Sequence, residues 1–170
     1  MNSSQGIQVA YSDVSNILWR ERQLLELLQF KLEVEQSLLA SGRSRWLGHA
    51  TREIEMLIEE VKQVELARAI EVRALCDQLG INETPTLKAL VAELDEPWSA
   101  IFEDHRQAFL TATQEIVGLA ETNRELLARG YQAAREALAS LGAERVETYG
   151  PSGMQVSRSG RDVRLLDEVM

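Results

Sequence analysis

Apolar residues in this chain recur at helical rather than strand spacing. From Asp13 to Ala40, Val14, Leu18, Leu25, Leu28, Leu32 and Leu39 keep to the face of a helix, and Ile17, Leu24, Leu27, Val34 and Leu38 form a second row beside it. The two rows predict a long helix, apolar on a broad side, as a bundle member must be. Ser12 or Asp13 is placed to cap its start, and Ser41-Gly42 supplies a residue that tolerates a left-handed C-terminus. A second helix is predicted from about Arg45 to Leu79. Its apolar positions Leu47, Ala50, Ile54, Leu57, Val61, Val64, Val72, Leu75 and Leu79 lie near heptad spacing, and Gly80 stands just past its end. The short break between the two helices makes them antiparallel.

Thr84-Pro85 predicts an N-cap followed by proline at the first helical position, opening a short helix over Thr86 to Glu93. The last helix is predicted to start near Asp95 or Pro97 and to reach about Leu141, roughly 65 Å at 1.5 Å per residue. Along it Phe102, His105, Phe109, Ala112, Ile116, Leu119, Asn123, Leu126 and Gly130 alternate steps of three and four. Past Asn123 the apolar positions move to Leu127, Tyr131, Ala134, Leu138 and Leu141, so the stripe turns around the helix. Two readings are open: a curved helix packing on its own core, or a stripe that receives a visiting helix. Asn123 and Gly130, with Arg68 on the second helix, are polar or small residues on the seam.

Beyond Gly142 the periodicity stops, and Gly150, Pro151, Gly153 and Gly160 interrupt any helix. Ordering this stretch would cost about 1–2 kcal/mol of backbone entropy per residue, against about 1.5–3 kcal/mol for each large apolar side chain buried. The expectation is a tail that orders on meeting a partner, with a weak hairpin at Thr148 to Gln155 as its one local structure. The fold class predicted is all-α: an elongated antiparallel bundle, or coiled coil, of three long helices with one short extra helix. The helical domain is placed at 1–141 and the flexible C-terminal tail at 142–170.

Composition narrows the function. The chain is 45% hydrophobic and 26% charged, with ten glycines and three prolines, too few turn-formers for a sandwich or barrel. A single cysteine excludes a disulfide framework and a thiolate cluster. The net charge of -9 is the wrong sign for phosphate backbones, so no nucleic-acid partner is expected. No run of eighteen apolar residues spans a bilayer, and the uncharged start from Met1 to Ser12 does not read as a secretory signal. A cytoplasmic location is expected.

Candidate chemistry is thin. The two histidines, His49 and His105, fall on different predicted helices, and His105 reads as a packed interface residue rather than a catalytic one. Metal-binding bundles use Glu-x-x-His pairs, but Trp46 and Phe102 stand three residues before the histidines. Glu53, Glu55, Glu59 and Glu60, with Arg52 and Lys62 nearby, read as a solvated face. Nucleotide-binding and hydrolase motifs are missing, so no enzyme, metal site or cofactor is expected. Cys76 reads as a small packing group. Trp19, Trp46 and Trp98, near the starts of long helices, read as packing at the bundle's ends, with an interface anchor as the sharper alternative.

Asn123-Arg124-Glu125-Leu126-Leu127, the amphipathic stretch to Leu141, and Thr148-Tyr149-Gly150-Pro151-Ser152-Gly153 together resemble the end of FlgN-type flagellar export chaperones. Val64-Glu65-Leu66-Ala67-Arg68 is similar to that family's leucine- and glutamate-rich middle. The resemblance implies a cytoplasmic chaperone that covers the terminal helices of hook-filament junction proteins (FlgK-like and FlgL-like clients) and delivers them to the flagellar type III export gate. It implies client binding by Leu126, Leu127, Tyr131, Ala134, Leu138 and Leu141, and an export-gate contact by Tyr149. The competing reading is a self-associating coiled-coil scaffold with no client.

Overall fold

The computed structural model describes residues 2–81 and 85–144, with side chains described over 6–81 and 85–141. Helix α1 spans Asn2–Ala40, a 3-10 turn covers Ser44–Trp46, α2 spans Leu47–Leu79, α3 spans Leu87–Glu93 and α4 spans Trp98–Glu144. The fold is all-helical, three long helices and one short one, as the spacing predicts. The chain divides into two units, Met1–Gly130 and Tyr131–Met170. The expected tail lies outside the described residues, apart from the α4 residues that run past Leu141 to Glu144; so do the expected hairpin and Tyr149.

In the first unit α1 and α2 are antiparallel. Lys31 Nζ lies 2.6 Å from Glu53 Oε2, Thr51 Oγ1 donates to Glu35 Oε1 at 2.8 Å, and Arg68 Nε donates to Glu21 Oε2 at 2.6 Å. As residue numbers rise on α1 they fall on α2. Between α1 and α4 the numbers rise together. Trp98 Nε1 donates to Gln8 Oε1 at 3.1 Å, Arg22 Nη1 to Asp104 Oδ2 at 2.9 Å, Gln29 to Glu115, and Asn123 Nδ2 to the Leu32 carbonyl at 2.9 Å. The bundle is therefore up-down-up.

The helix ends follow from local chemistry. Gly42 and Gly80 both take the left-handed conformation, at φ 66° and 72°, and a backbone bond closes each end: Arg43 N to Leu38 O at 2.9 Å, Ile81 N to Cys76 O at 3.0 Å. Both are stops predicted from sequence. Two starts differ. The cap of α3 is Thr86, whose Oγ1 accepts from Ala89 N at 3.1 Å, rather than Thr84, and Pro85 precedes the helix instead of opening it. Helix α1 begins at Asn2, not near Ser12, and Ser12 Oγ donates back to the Gln8 carbonyl at 3.0 Å within the helix. Tertiary packing overrides weak propensity here: Tyr11 meets Trp98 at 5.4 Å between ring centroids, and Ala10 and Tyr11 pack on the core.

Two apolar clusters stabilise the body. One gathers Val14 and Leu18 of α1, Val72, Leu75 and Cys76 of α2, Leu87 and Leu90 of α3, and Phe102 of α4. The other gathers Leu24, Leu25, Leu28 and Leu32 with Ile54, Leu57 and Val61, against Phe109, Ala112, Ile116 and Leu119. Cys76 is buried in the first cluster, as its packing role requires, and burial pushes its thiol pKa up. Between them in sequence register lie three polar side chains. Glu21 is 3% exposed and bonded to Arg68, Arg68 lies over the Phe109 ring, and buried His105 meets Trp19 edge-on at 4.8 Å. Trp19 is itself half exposed, with Arg22 over its ring at 5.3 Å, so it covers the polar layer rather than an end of the bundle.

Burial lowers the His105 pKa from its usual 6.5, and the Arg22 charge adds to the effect; Asp104 opposes it. The unfolded chain therefore takes up a proton below about pH 6.5 that the folded chain resists. The stability this neutral histidine contributes is complete above 6.5 and is lost as pH falls toward the folded-state pKa. Burial raises Glu21 despite Arg68, which gives the opposite slope at lower pH. Replacing His105→Phe should flatten the stability loss between about pH 7.5 and 5.5 in denaturant titrations, with Glu21 common to both proteins. An equal loss in the variant would show that His105 is not the group being charged.

Candidate functional site

Helix α4 carries two apolar rows. The inward row, Phe102, His105, Phe109, Ala112, Ile116, Leu119 and Asn123, is buried or half-buried against α1 and α2. The sequence shows this row correctly up to half-buried Leu126, and it ends there: Gly130, the next step, is exposed. Asn123 closes the row as a buried amide whose Nδ2 donates to the Leu32 carbonyl and, at 3.0 Å, to Glu35 Oε2.

The outward row is the feature that bears on function. In the first unit Leu110, Val117 and Leu127 stand exposed, with half-buried Ala120 between them. They are spaced by sevens and threes, so they share one face of the helix. In the second unit Tyr131, Ala134, Leu138 and Leu141 follow steps of three, four and three, and all are exposed, Tyr131 at 66%, Leu138 at 70% and Leu141 at 60%. Of the six expected client-binding residues, five thus point to solvent. Leu126 is half-buried, on the inward side beside Asn123. The sequence reading missed Leu110, Val117 and Ala120. Stepping back from Leu127 by sevens and threes finds them, a signal masked by the stronger inward row in the same window.

Electrostatics on this helix is that of a solvated surface. Arg106 bonds both Glu103 oxygens at 2.7 and 2.8 Å, and Arg129 pairs with Glu125 at 3.2 Å. The Arg106 and Gln107 hydrogen bonds pull the Glu103 carboxyl down to about 2. On α2, Lys31 holds Glu53 below the ordinary carboxylate range, and Lys62 lies 3.6 Å from Glu59. Among the described residues no three His, Cys, Asp or Glu side chains converge as a metal set, and no helix is long and apolar enough to cross a membrane. Nothing in this geometry activates a nucleophile. What it offers is apolar area along a helix.

Across nearly its whole length, residues 1–157, the chain matches the family described as FlgN protein. It belongs to the FlgN family. Members are flagellar export chaperones for hook-associated proteins, and the family is non-enzymatic. No curated protein and no solved structure matches the chain significantly. In the first unit the described helices leave Leu110, Val117 and Leu127 largely uncovered.

The two rows of α4 should respond differently to substitution. Leu138→Asp is expected to leave thermal stability within about 0.5 kcal/mol of the parent, as at other solvent-facing sites. Phe102→Ala should cost about 3–5 kcal/mol through the cavity it opens. Denaturant melts of the two variants check this; a large loss in Leu138→Asp would place that leucine in a packed interface.

Proposed function

We propose that this FlgN-family chain is a cytoplasmic chaperone that binds hook-filament junction proteins through their terminal helices, keeps those helices from aggregating, and hands them to the flagellar export gate. The observation that supports it most is the exposure of Tyr131, Leu138 and Leu141 on one helix face. Client helices that pair only in the assembled filament carry an apolar side that must be covered beforehand, and a row of spaced anchors suits the helix-in-groove mode. Leu127, Tyr131, Ala134, Leu138 and Leu141 are the contact residues, with Leu126 at the edge, and Tyr149 is the gate contact. A tyrosine offers apolar area with one hydroxyl, which fits a contact that must form and break.

Magnitudes favour a reversible hold. Fully covering Leu127, Leu138 and Leu141 returns roughly 1.5–3 kcal/mol each. Association costs about 4–15 kcal/mol in lost freedom. The two ranges overlap, so a row of this size gives a modest hold, and tight capture would oppose release.

Leu127→Asp combined with Leu138→Asp should lower co-purification with the host's hook-filament junction proteins at least tenfold while circular dichroism stays helical. Tyr149→Ala should keep the client and lose the gate. If the double variant retains full client binding, this surface is wrong; if the parent sediments as a homodimer that ignores every junction protein, the scaffold reading replaces the chaperone.

A further inference from the structure

Charge is unevenly placed on this acidic chain. Between Glu35 and Glu53 the sequence holds Arg43, Arg45 and Arg52 and no acidic residue, although the whole carries a net charge of -9. The structure puts that stretch at the turn joining α1 to α2, one end of the helical hairpin in the first unit. All three arginines are exposed, and among the described residues none is paired with a carboxylate. The acids that bound the stretch are already engaged, Glu35 by Thr51 and Asn123, and Glu53 by Lys31. Arg124 of α4 shares a groove with Leu47 and Thr51 at this end, offsetting Glu121 one turn before it.

A tryptophan stands in the middle of this charge. Trp46 is 52% exposed and belongs to neither apolar cluster, so packing at the bundle's end does not account for it. The Arg45 guanidinium lies over its ring at 5.1 Å, the His49 ring is 5.9 Å away, and Arg52 Nη2 donates to His49 Nδ1 at 3.2 Å. Arg45, Trp46, His49 and Arg52 thus form a continuous strip. The backbone beneath it is fixed: Arg43 N donates to the Leu38 carbonyl at 2.9 Å and Trp46 N to the Arg43 carbonyl at 3.3 Å. Helix α2 begins here with no side-chain cap and no acid in its first turn, so its positive end adds to the arginines instead of being neutralised.

The make-up of the tip selects among anionic partners. Four residues and Arg43 beside them are a small part of the roughly 20–30 residues a side that a stable protein interface employs. A nucleic acid rewards a cationic track along its backbone, but α2 turns acidic at once, with Glu53, Glu55, Glu59 and Glu60. A bilayer asks for neither a matched contour nor a track. Arginines reach its phosphates, and an indole settles at head-group depth, where ring and N–H are both accommodated. The chain's excess acid opposes this little: the Debye length at physiological salt is about 8 Å, whereas α2 alone runs roughly 50 Å away from the tip at 1.5 Å per residue.

We propose that the α1–α2 turn docks on a bilayer surface bearing anionic phospholipid head groups, with Arg43, Arg45 and Arg52 on the phosphates and Trp46 at head-group depth. The contact is peripheral, involves no client, and goes beyond the chaperone reading without depending on it.

The test floats the full chain with vesicles of phosphatidylcholine, alone or with about 30% phosphatidylglycerol, in about 0.1 M salt. Binding is expected to the anionic vesicles only, and it should fall at least tenfold when salt is raised to about 0.5 M. Arg43→Gln, Arg45→Gln and Arg52→Gln should each weaken it roughly fivefold, the share of one arginine near a charged surface. Trp46→Ser should weaken it as well, with the salt dependence kept. Arg73→Gln, at an exposed arginine toward the other end of α2, changes the net charge equally and should leave binding within about twofold of the parent. The substituted positions are exposed, so melting temperatures should hold, and the salt titration of the parent needs no variant. No binding to anionic vesicles, equal binding to neutral ones, or an equal loss in Arg73→Gln overturns the proposal. Tighter binding of a single-stranded oligonucleotide or of polyglutamate, lost in the same tip variants, also overturns it and assigns the strip to that class of anion. Client co-purification is read separately, so any of these failures leaves the chaperone reading where it stood.

Discussion

Two neighbours can cover one side of a helix, and α4 has two sides to cover. In the first unit α1 and α2 take the row that runs from Phe102 to Asn123, and their packing against it forms much of both apolar clusters. Among the described residues no helix covers Leu110, Val117 and Leu127, which are each about half exposed. The exposed leucines are thus a necessary result of helix number rather than a local defect in packing. The proposed client surface rests on that imbalance between apolar rows and helices available to bury them.

The architecture was legible because its signals are local. Gly42 and Gly80 stop their helices by backbone conformation alone, and heptad spacing over α2 and α4 fixes which residues turn inward. The start of α1 was not legible. Asn2 to Ser12 contains few helix-favouring residues, and what holds it is Trp98 reaching Gln8 and Tyr11 from ninety residues away in sequence. The α3 cap was misplaced by two residues because Thr84 and Thr86 flank the same proline and only geometry chooses between them. For the candidate surface, spacing put Leu127 to Leu141 on one stripe, but a chain read in one dimension shows the strongest row and hides a weaker one on the adjacent face.

A chaperone for export works within a narrow band of affinity. In the proposed role the client must be held long enough to stay unaggregated and then let go. A solvent-facing row of a few side chains suits that proposed role, since no single contact in it is strong alone.

The belt formed by Glu21, Arg68 and His105 has a mechanical consequence. Were α1 to slide by one heptad, the Glu21 carboxylate would enter the level now held by Leu28, among leucines and out of reach of its guanidinium. A buried charge stripped of its partner costs about 3–5 kcal/mol, comparable to much of a small domain's net stability. Leucine layers tolerate such slippage because each level resembles the next; a single ionic rung does not. The belt works as an index mark, holding α1 and α2 in one alignment.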